Sequence, residues 1–162
     1  MQSIREAFAA DAAVIADGNC KLAWESEGKT LDPAVVAAGV AAALADPAGK
    51  GPYYLACDGE AVIGQCQVTR EWSDWRNKWI WWLQGVYVRP DQRKRGVFRS
   101  LYEHVRQRAQ ESGEVLAIRL YVERDNHRAQ AVYRQLGMEV EHYDMMRWSL
   151  PPVDVGAADD SK

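Results

Sequence analysis

Cysteine, histidine and phenylalanine are scarce in this 162-residue chain, with three, three and two copies. The cysteines, Cys20, Cys57 and Cys66, are odd in number and match no zinc spacing, which argues against a disulfide framework and against a cysteine-based metal site. They read as buried thiols of a reducing compartment. Long apolar runs are also missing. The longest charge-free stretch of the N-terminal third, residues 34–45, is far shorter than the roughly 20 residues of a membrane span. Acidic Glu6 and Asp11 interrupt any apolar region of a secretory signal, so a cytoplasmic protein without membrane contact is expected. A basic surplus is lacking too: the net charge is −3, which speaks against nucleic acid as a partner.

What is present fits one domain, on a prior of about 150 residues each. Residues 1–150 are expected to form it, and 151–162, without periodicity and with three aspartates, to be a disordered tail. Two local biases stand out. Residues 89–99 carry Arg89, Arg93, Lys94, Arg95 and Arg99 against Asp91 alone, a balance of +4. Just upstream crowd Trp72, Trp75, Trp79, Trp81 and Trp82, five of the seven tryptophans. Function is to be sought where these biases meet.

Periodicity supplies the frame. A short strand at residues 2–5 precedes a helix capped by Asp11, weakened by Gly18 and ended by Gly28. A second helix has Asp32 as N-cap, Pro33 at its first position and Asp46-Pro47 as its stop. An acidic and aromatic corner, residues 24–27, lies between the two. Strands at 53–57 and 61–69 flank the hairpin signal Asp58-Gly59-Glu60, and a third at 78–88 follows a polar and aromatic loop at 71–77. Val97, Phe98, Leu101, Tyr102, Val105 and Ala109 then recur at helical spacing. A buried strand at 115–122 follows, then a helix from Asn126 to Gly137, and an alternating segment at 139–149 reads as a last strand. The fold class is α+β, a mixed and mostly antiparallel sheet flanked by helices.

The connection after Val88 carries the chemistry. A helix N-terminus offers free backbone N–H groups and a positive dipole end, and here it follows a strand directly, with three cations and Gly96 where a phosphate can approach. A diphosphate is the natural guest; the plainer alternative is a solvated basic turn. Val86-Tyr87-Val88-Arg89-Pro90 followed by Arg93-x-x-Gly96-x-Phe98 resembles the pyrophosphate-binding motif of the GNAT superfamily of acetyl-CoA-dependent N-acetyltransferases. Asn126-x-x-Ala129-x-x-x-Tyr133-x-x-x-Gly137-Met138 resembles that superfamily's second signature. Phe98 departs from the pattern, which has Gly or Ala there, and fits only if its ring points away from the phosphates.

The resemblance implies direct acetyl transfer from acetyl-CoA to an amine, without an acyl-enzyme and without a metal. It places the pantetheine arm along Val86, Tyr87 and Val88, with the amide of Val86 or Val88 polarising the thioester carbonyl. The diphosphate falls to Arg93, Lys94, Arg95, Gly96, Val97, Phe98 and Arg99. Tyr133 matches the general acid that protonates the departing thiolate, and Asn126 a coenzyme contact; a packing tyrosine and a simple N-cap are the alternatives. The amine must lose a proton, for which Glu25, Glu27 and Glu71, with Asp74, are candidates; none is singled out by spacing. His104, His127 and His142 are placed less well. Trp72 and Trp75 read as a wall for the amine or as a homodimer contact, through the tryptophan-rich strand or its loop. Two other readings compete, a non-catalytic acyl-CoA sensor of the same fold and a nucleic-acid module built on the basic run.

Overall fold

The structure, a computed structural model, describes residues 2–150; the tail expected at 151–162 lies outside them. The chain divides into two units, Met1–Leu120 and Tyr121–Lys162. The first holds β1 (Gln2–Glu6), α1 (Ala12–Glu27), α2 (Pro33–Ala45), the short α3 (Pro47–Lys50), β2 (Tyr53–Asp58), β3 (Ala61–Ser73), β4 (Lys78–Val88), α4 (Val97–Ser112) and β5 (Val115–Leu120). Its sheet runs β1-β2-β3-β4-β5. The first four strands pair antiparallel, and β5 lies parallel to β4 because α4 provides the crossover that a parallel neighbour requires. This is the mixed, mostly antiparallel sheet flanked by helices that periodicity implies.

Both faces of the sheet are covered, so β2 is buried from Tyr53 to Cys57 instead of alternating. Tyr53, Leu55 and Cys57 meet Ile15 of α1 with Val40 and Ala43 of α2. On the other face Tyr54 packs edge-on against His104 of α4, ring centroids 5.0 Å apart. The α4 stripe of Val97, Leu101, Tyr102, Val105 and Ala109 is buried as its spacing requires. α2 begins as expected, with the Asp32 carboxylate accepting from the Ala34 N–H at 2.8 Å and Pro33 at the first position.

Three local expectations are corrected. Asp11 stands at the N-cap position of α1, but its side chain does not cap the helix: the buried carboxylate takes both arms of Arg5 at 2.8 Å and the Phe8 N–H at 2.9 Å, a stronger set of partners than a helix terminus offers. The acidic and aromatic corner at 24–27 is the last turn of α1, which ends at left-handed Gly28. The loop expected at 71–77 is shortened to a turn at 74–77, since Glu71, Trp72 and Ser73 pair with Ile80, Trp79 and Lys78. Trp72 and Trp79, directly opposed, meet edge to face at 4.9 Å, the kind of cross-strand aromatic contact that extends a hairpin.

In the second unit α5 (His127–Gln135) starts at Asn126, whose side chain accepts from the Ala129 N–H at 3.0 Å. It stops at Gly137 (φ +84°), where Met138 N–H reaches back to the Tyr133 carbonyl. The strand expected at 139–149 does not form. Val140, Met146 and Trp148 alternate but are 74%, 95% and 82% exposed. Alternation is a side-chain pattern, whereas a strand exists only through backbone bonds to a neighbour.

Candidate functional site

β4 changes character halfway along. It pairs with β5 from Trp79 to Leu83, and beyond Leu83 its ladder partner among the described residues is β3 alone. There β4 also gains a residue on β3, because Gln67 faces Gln84 while Gln65 faces Tyr87. Gly85 (φ +54°) sits in this bulge in a conformation that side chains disfavour. Past it, the Arg89 N–H donates to the Ile63 carbonyl at 3.0 Å. Strand alternation then turns the Tyr87 N–H toward β3 and the Val88 N–H toward the side where the β5 ladder has stopped. An extended ligand lying there meets a strand edge with free hydrogen-bonding capacity.

The same strand leads into a helix terminus. Residues 90–92 make one 3₁₀ turn, Lys94 (φ +64°) and Gly96 (φ +82°) are left-handed, and α4 begins at Val97. Its ladder starts with Ser100 N–H to the Gly96 carbonyl at 3.0 Å, so the amides before Ser100 precede the ladder. A Cβ on Gly96 would meet nothing within 4 Å; the space above its backbone is open. Gly64 of β3 shows the opposite: a Cβ there would stand 2.8 Å from Val97, which brings the start of α4 hard onto the sheet. Phe98 is half-buried, its ring 6.2 Å from Tyr102 along the helix flank.

The basic side chains of this loop divide. Arg93 turns inward, donating from Nε to the Val88 carbonyl at 2.9 Å and from Nη2 to Glu25 of α1, with its guanidinium 5.8 Å from the Tyr87 ring centre. Arg89 pairs with Asp91 at 2.9 Å, and Arg95 donates to Gln92 at 2.6 Å. Lys94 and Arg99 are exposed on the loop and the first turn.

Beside them a cleft of about 510 Å³ runs between α1 and the ends of β3 and β4, lined in part by Gly18, Lys21, Glu25, Gln65, Tyr87 and Arg89. Burial first, and then the Glu25 carboxylate, push the Tyr87 phenol up. Of the candidate carboxylates, only Glu25 lines this cleft. Glu27 pairs with Lys29 at 2.9 Å. Glu71 accepts from the Trp82 indole at 2.7 Å and lies 3.6 Å from Arg119; it stands opposite Ile80, a strand length of roughly 20 Å from Val86. Asp74 bonds the adjacent Trp75 N–H in the hairpin turn. In the second unit Tyr133 is half-buried, which pushes its phenol up, and Asn126 caps α5. His104 packs on Tyr54, with its pKa lowered by burial, His142 lies against Tyr143, and His127 opens α5.

Three residues at the heart of this region escape pattern reading. Gln65 is 2% exposed, and its amide donates to the Ile15 carbonyl (3.2 Å) and to Asn19 Oδ1 (2.9 Å). Asn19 in turn donates to the Tyr53 hydroxyl at 3.2 Å. Gly18 makes room: a Cβ there would fall 2.4 Å from Gln65 Oε1. The one signal in the sequence is a glycine inside a helix, which by itself reads only as a weakness.

Comparison with known proteins agrees with this geometry. Residues 17–138 match the pattern described as the acetyltransferase (GNAT) family. A possible acetyltransferase from Clostridium difficile 630 is 38% identical, with a TM-score of 0.88 over 94% of this chain and 99% of its own. A probable acetyltransferase of known structure is 25% identical, with a TM-score of 0.79 over 94% and 99%. The mycothiol acetyltransferase of Mycolicibacterium gilvum (strain PYR-GCK) is 28% identical over 90% of this chain. The chain spans about half the length of that curated relative, 47%.

Proposed function

The chain belongs to the acetyltransferase (GNAT) family, and from that premise we propose that it transfers the acetyl group of acetyl-CoA directly to a primary amine of a small molecule or of an exposed protein terminus or side chain. The observation that carries the reading is the continuous path from the open edge of β4 to the α4 terminus. An extended pantetheine arm suits the first, and a diphosphate suits the amides ahead of Ser100 beneath the uncovered backbone of Gly96. The bound coenzyme supplies an activated acyl carbon and a thiolate leaving group.

The residues divide the remaining work. The amide of Val86 or of Val88 donates to the thioester carbonyl and stabilises the charge that grows on its oxygen. Glu25, in the cleft beside Tyr87, draws the ammonium form of the acceptor and takes its proton before the nitrogen attacks. As the new C–N bond forms and the C–S bond breaks, Tyr133 protonates the departing sulfur; burial, which raises its pKa, keeps the phenol protonated at neutral pH. Lys94, Arg95 and Arg99 add positive charge around the diphosphate, while Arg93 fixes the loop against Val88 and Glu25. Asn126 sets the start of α5 and contacts the coenzyme. Trp72 and Trp75, 47% and 88% exposed at the hairpin tip, offer a contact surface to a second copy. Among the described residues no helix is long and apolar enough to cross a membrane, and the proposed reaction takes place in the cytoplasm.

Thermal unfolding with CoA and acetyl-CoA tests the coenzyme assignment. Both raise Tm at millimolar concentration, as any ligand of the native state must, and Gly96→Asp abolishes the shift. No shift in the wild-type protein would refute the coenzyme reading. Thiol release from acetyl-CoA across a panel of amines separates an enzyme from a coenzyme sensor. An enzyme turns over at least one amine, and Tyr133→Phe slows it while the coenzyme-induced shift persists.

A further inference from the structure

A buried amide chain reaches from the core to the bulge of β4. Gln65 and Asp11 are the buried polar or charged side chains of the described core, and an amide in such a place is costly unless bonded. The Gln65 amide spends both hydrogens on α1, on the Ile15 carbonyl and on Asn19 Oδ1. Asn19 is held from its other side by the Tyr53 hydroxyl. Its Oδ1 stands next to the bulge: a Cβ added at Gly85 would lie 3.2 Å from it. Gly18 gives up helix propensity to admit Gln65, and Gln65 is also the residue that faces Tyr87 just past the extra residue of β4. Two glycines and three polar side chains on α1, β2, β3 and β4 thus converge where β4 shifts its phase.

We infer that Asn19 and Gln65 are positioning residues for the acyl carbonyl, acting by bracing the Gly85 bulge so that the amides of Val86 and Val88 stay turned to the open side of β4, where one of them meets the thioester oxygen. The inference deepens the acetyltransferase reading and rests on it. The amides turn to the open side of β4 only because the bulge shifts the strand's alternation, and β3 holds that bulge at its two ends, with no register partner for Gly85 or Val86 between them. The brace from α1 supplies the missing restraint, which is also why α1 tolerates glycine at 18.

The test compares acetyl-CoA with its thioether analogue S-ethyl-CoA, which keeps every other group and lacks the carbonyl. One net hydrogen bond is worth about 1 kcal/mol, so the wild type should bind acetyl-CoA about fivefold more tightly than the thioether by calorimetry. In Asn19→Ala and Gln65→Met the ratio falls toward one while the affinity for the thioether stays within about twofold. Asn19→Asp, which keeps the acceptor for Gln65, retains most of the preference. A purely structural role would lower Tm or weaken both ligands together and leave the ratio unchanged, and that result overturns the inference. So does a wild-type ratio of one. Should the two disruptive variants not fold, Tyr53→Phe removes only the outer anchor of Asn19; it must lower the ratio part-way, and an unchanged ratio there counts equally against the brace. A wild-type protein that binds neither ligand would remove the acetyltransferase reading itself, an outcome distinct from binding without discrimination.

Discussion

Gly18→Ala should destabilise this protein although it places the best helix former in the middle of a helix. In an exposed helix interior the change gains about 1 kcal/mol. At position 18 the new methyl would stand 2.4 Å from Gln65 Oε1, 2.8 Å from its Cδ and 2.9 Å from its Nε2. Gln65 is 2% exposed and fixed by two hydrogen bonds, so it has no free rotamer to retreat into. Displacing it forfeits those bonds, about 1 kcal/mol each, and adds overpacking strain of about 1–3 kcal/mol. Set against the helix gain, the net loss is about 2–4 kcal/mol, or a fall in Tm of roughly 5–15 °C for a chain of this size. Gly39 is the internal control, since it lies exposed in α2 and a methyl added there would meet nothing within 4 Å. Gly39→Ala should gain about 0.5–1 kcal/mol. Thermal and urea unfolding by circular dichroism measure both, and the Gly18→Ala/Gln65→Ala double variant should recover part of the steric cost. A Gly18→Ala protein as stable as the wild type would refute the reasoning, because Gln65 would then not be locked.

Further outcomes follow from single groups. Arg5 holds the Asp11 carboxyl below its ordinary range, so its stabilisation is complete above the unfolded aspartate value, near about pH 4, and fades as pH falls through the lowered folded value. Asp11→Asn should cost about 1–2 kcal/mol at pH 7, discounted for the part-exposed arginine, and its Tm should converge on that of the wild type in acid. Burial pushes the Cys66 thiol up to about 12, so iodoacetamide at pH 8 should leave Cys66 unmodified in the native protein, as read by mass spectrometry of peptides. Glu25→Gln should slow thiol release with the responsive amine by about a hundredfold if Glu25 takes the proton; a weaker coenzyme-induced Tm shift with an unchanged rate would assign it instead to holding Arg93.

Much of the fold is legible in the sequence because its signals are local. Gly28, Asp32-Pro33, Gly59 and Gly137 act through their own backbone, and the α4 stripe has one dry face, so periodicity locates each element closely. What misleads is context supplied from elsewhere. Asp11 looks like a cap until Arg5, on another element, claims it. Residues 71–73 look like a loop until Trp72 finds Trp79 across the hairpin. The alternation at 139–149 is real, yet no property of a segment's own side chains guarantees a neighbouring backbone. Likewise the basic loop can be found from composition, whereas Gln65 and Asn19 cannot, because a glutamine on a strand carries no mark of what lies 50 residues earlier in α1.

The basic run shows how far charge counting reaches. As a stretch of sequence it offers a balance of +4 to a diphosphate, but Arg93 spends its guanidinium on Glu25 and the Val88 carbonyl, Arg89 on Asp91, and Arg95 on Gln92. The local cations therefore do two kinds of work. Lys94, Arg99 and Arg95, whose partner Gln92 is neutral, supply exposed positive charge, screened over a Debye length of about 8 Å at physiological salt. Arg93 builds the loop, and in the proposed coenzyme site the anion would be met chiefly by backbone amides that no substitution of a basic residue removes. Coenzyme binding should accordingly weaken only modestly between low and physiological salt, and Lys94→Ala should cost less than Gly96→Asp. The first tests a diffuse, exposed charge, while the second places a carboxylate in the open space above the Gly96 backbone, where the proposed site puts the phosphate.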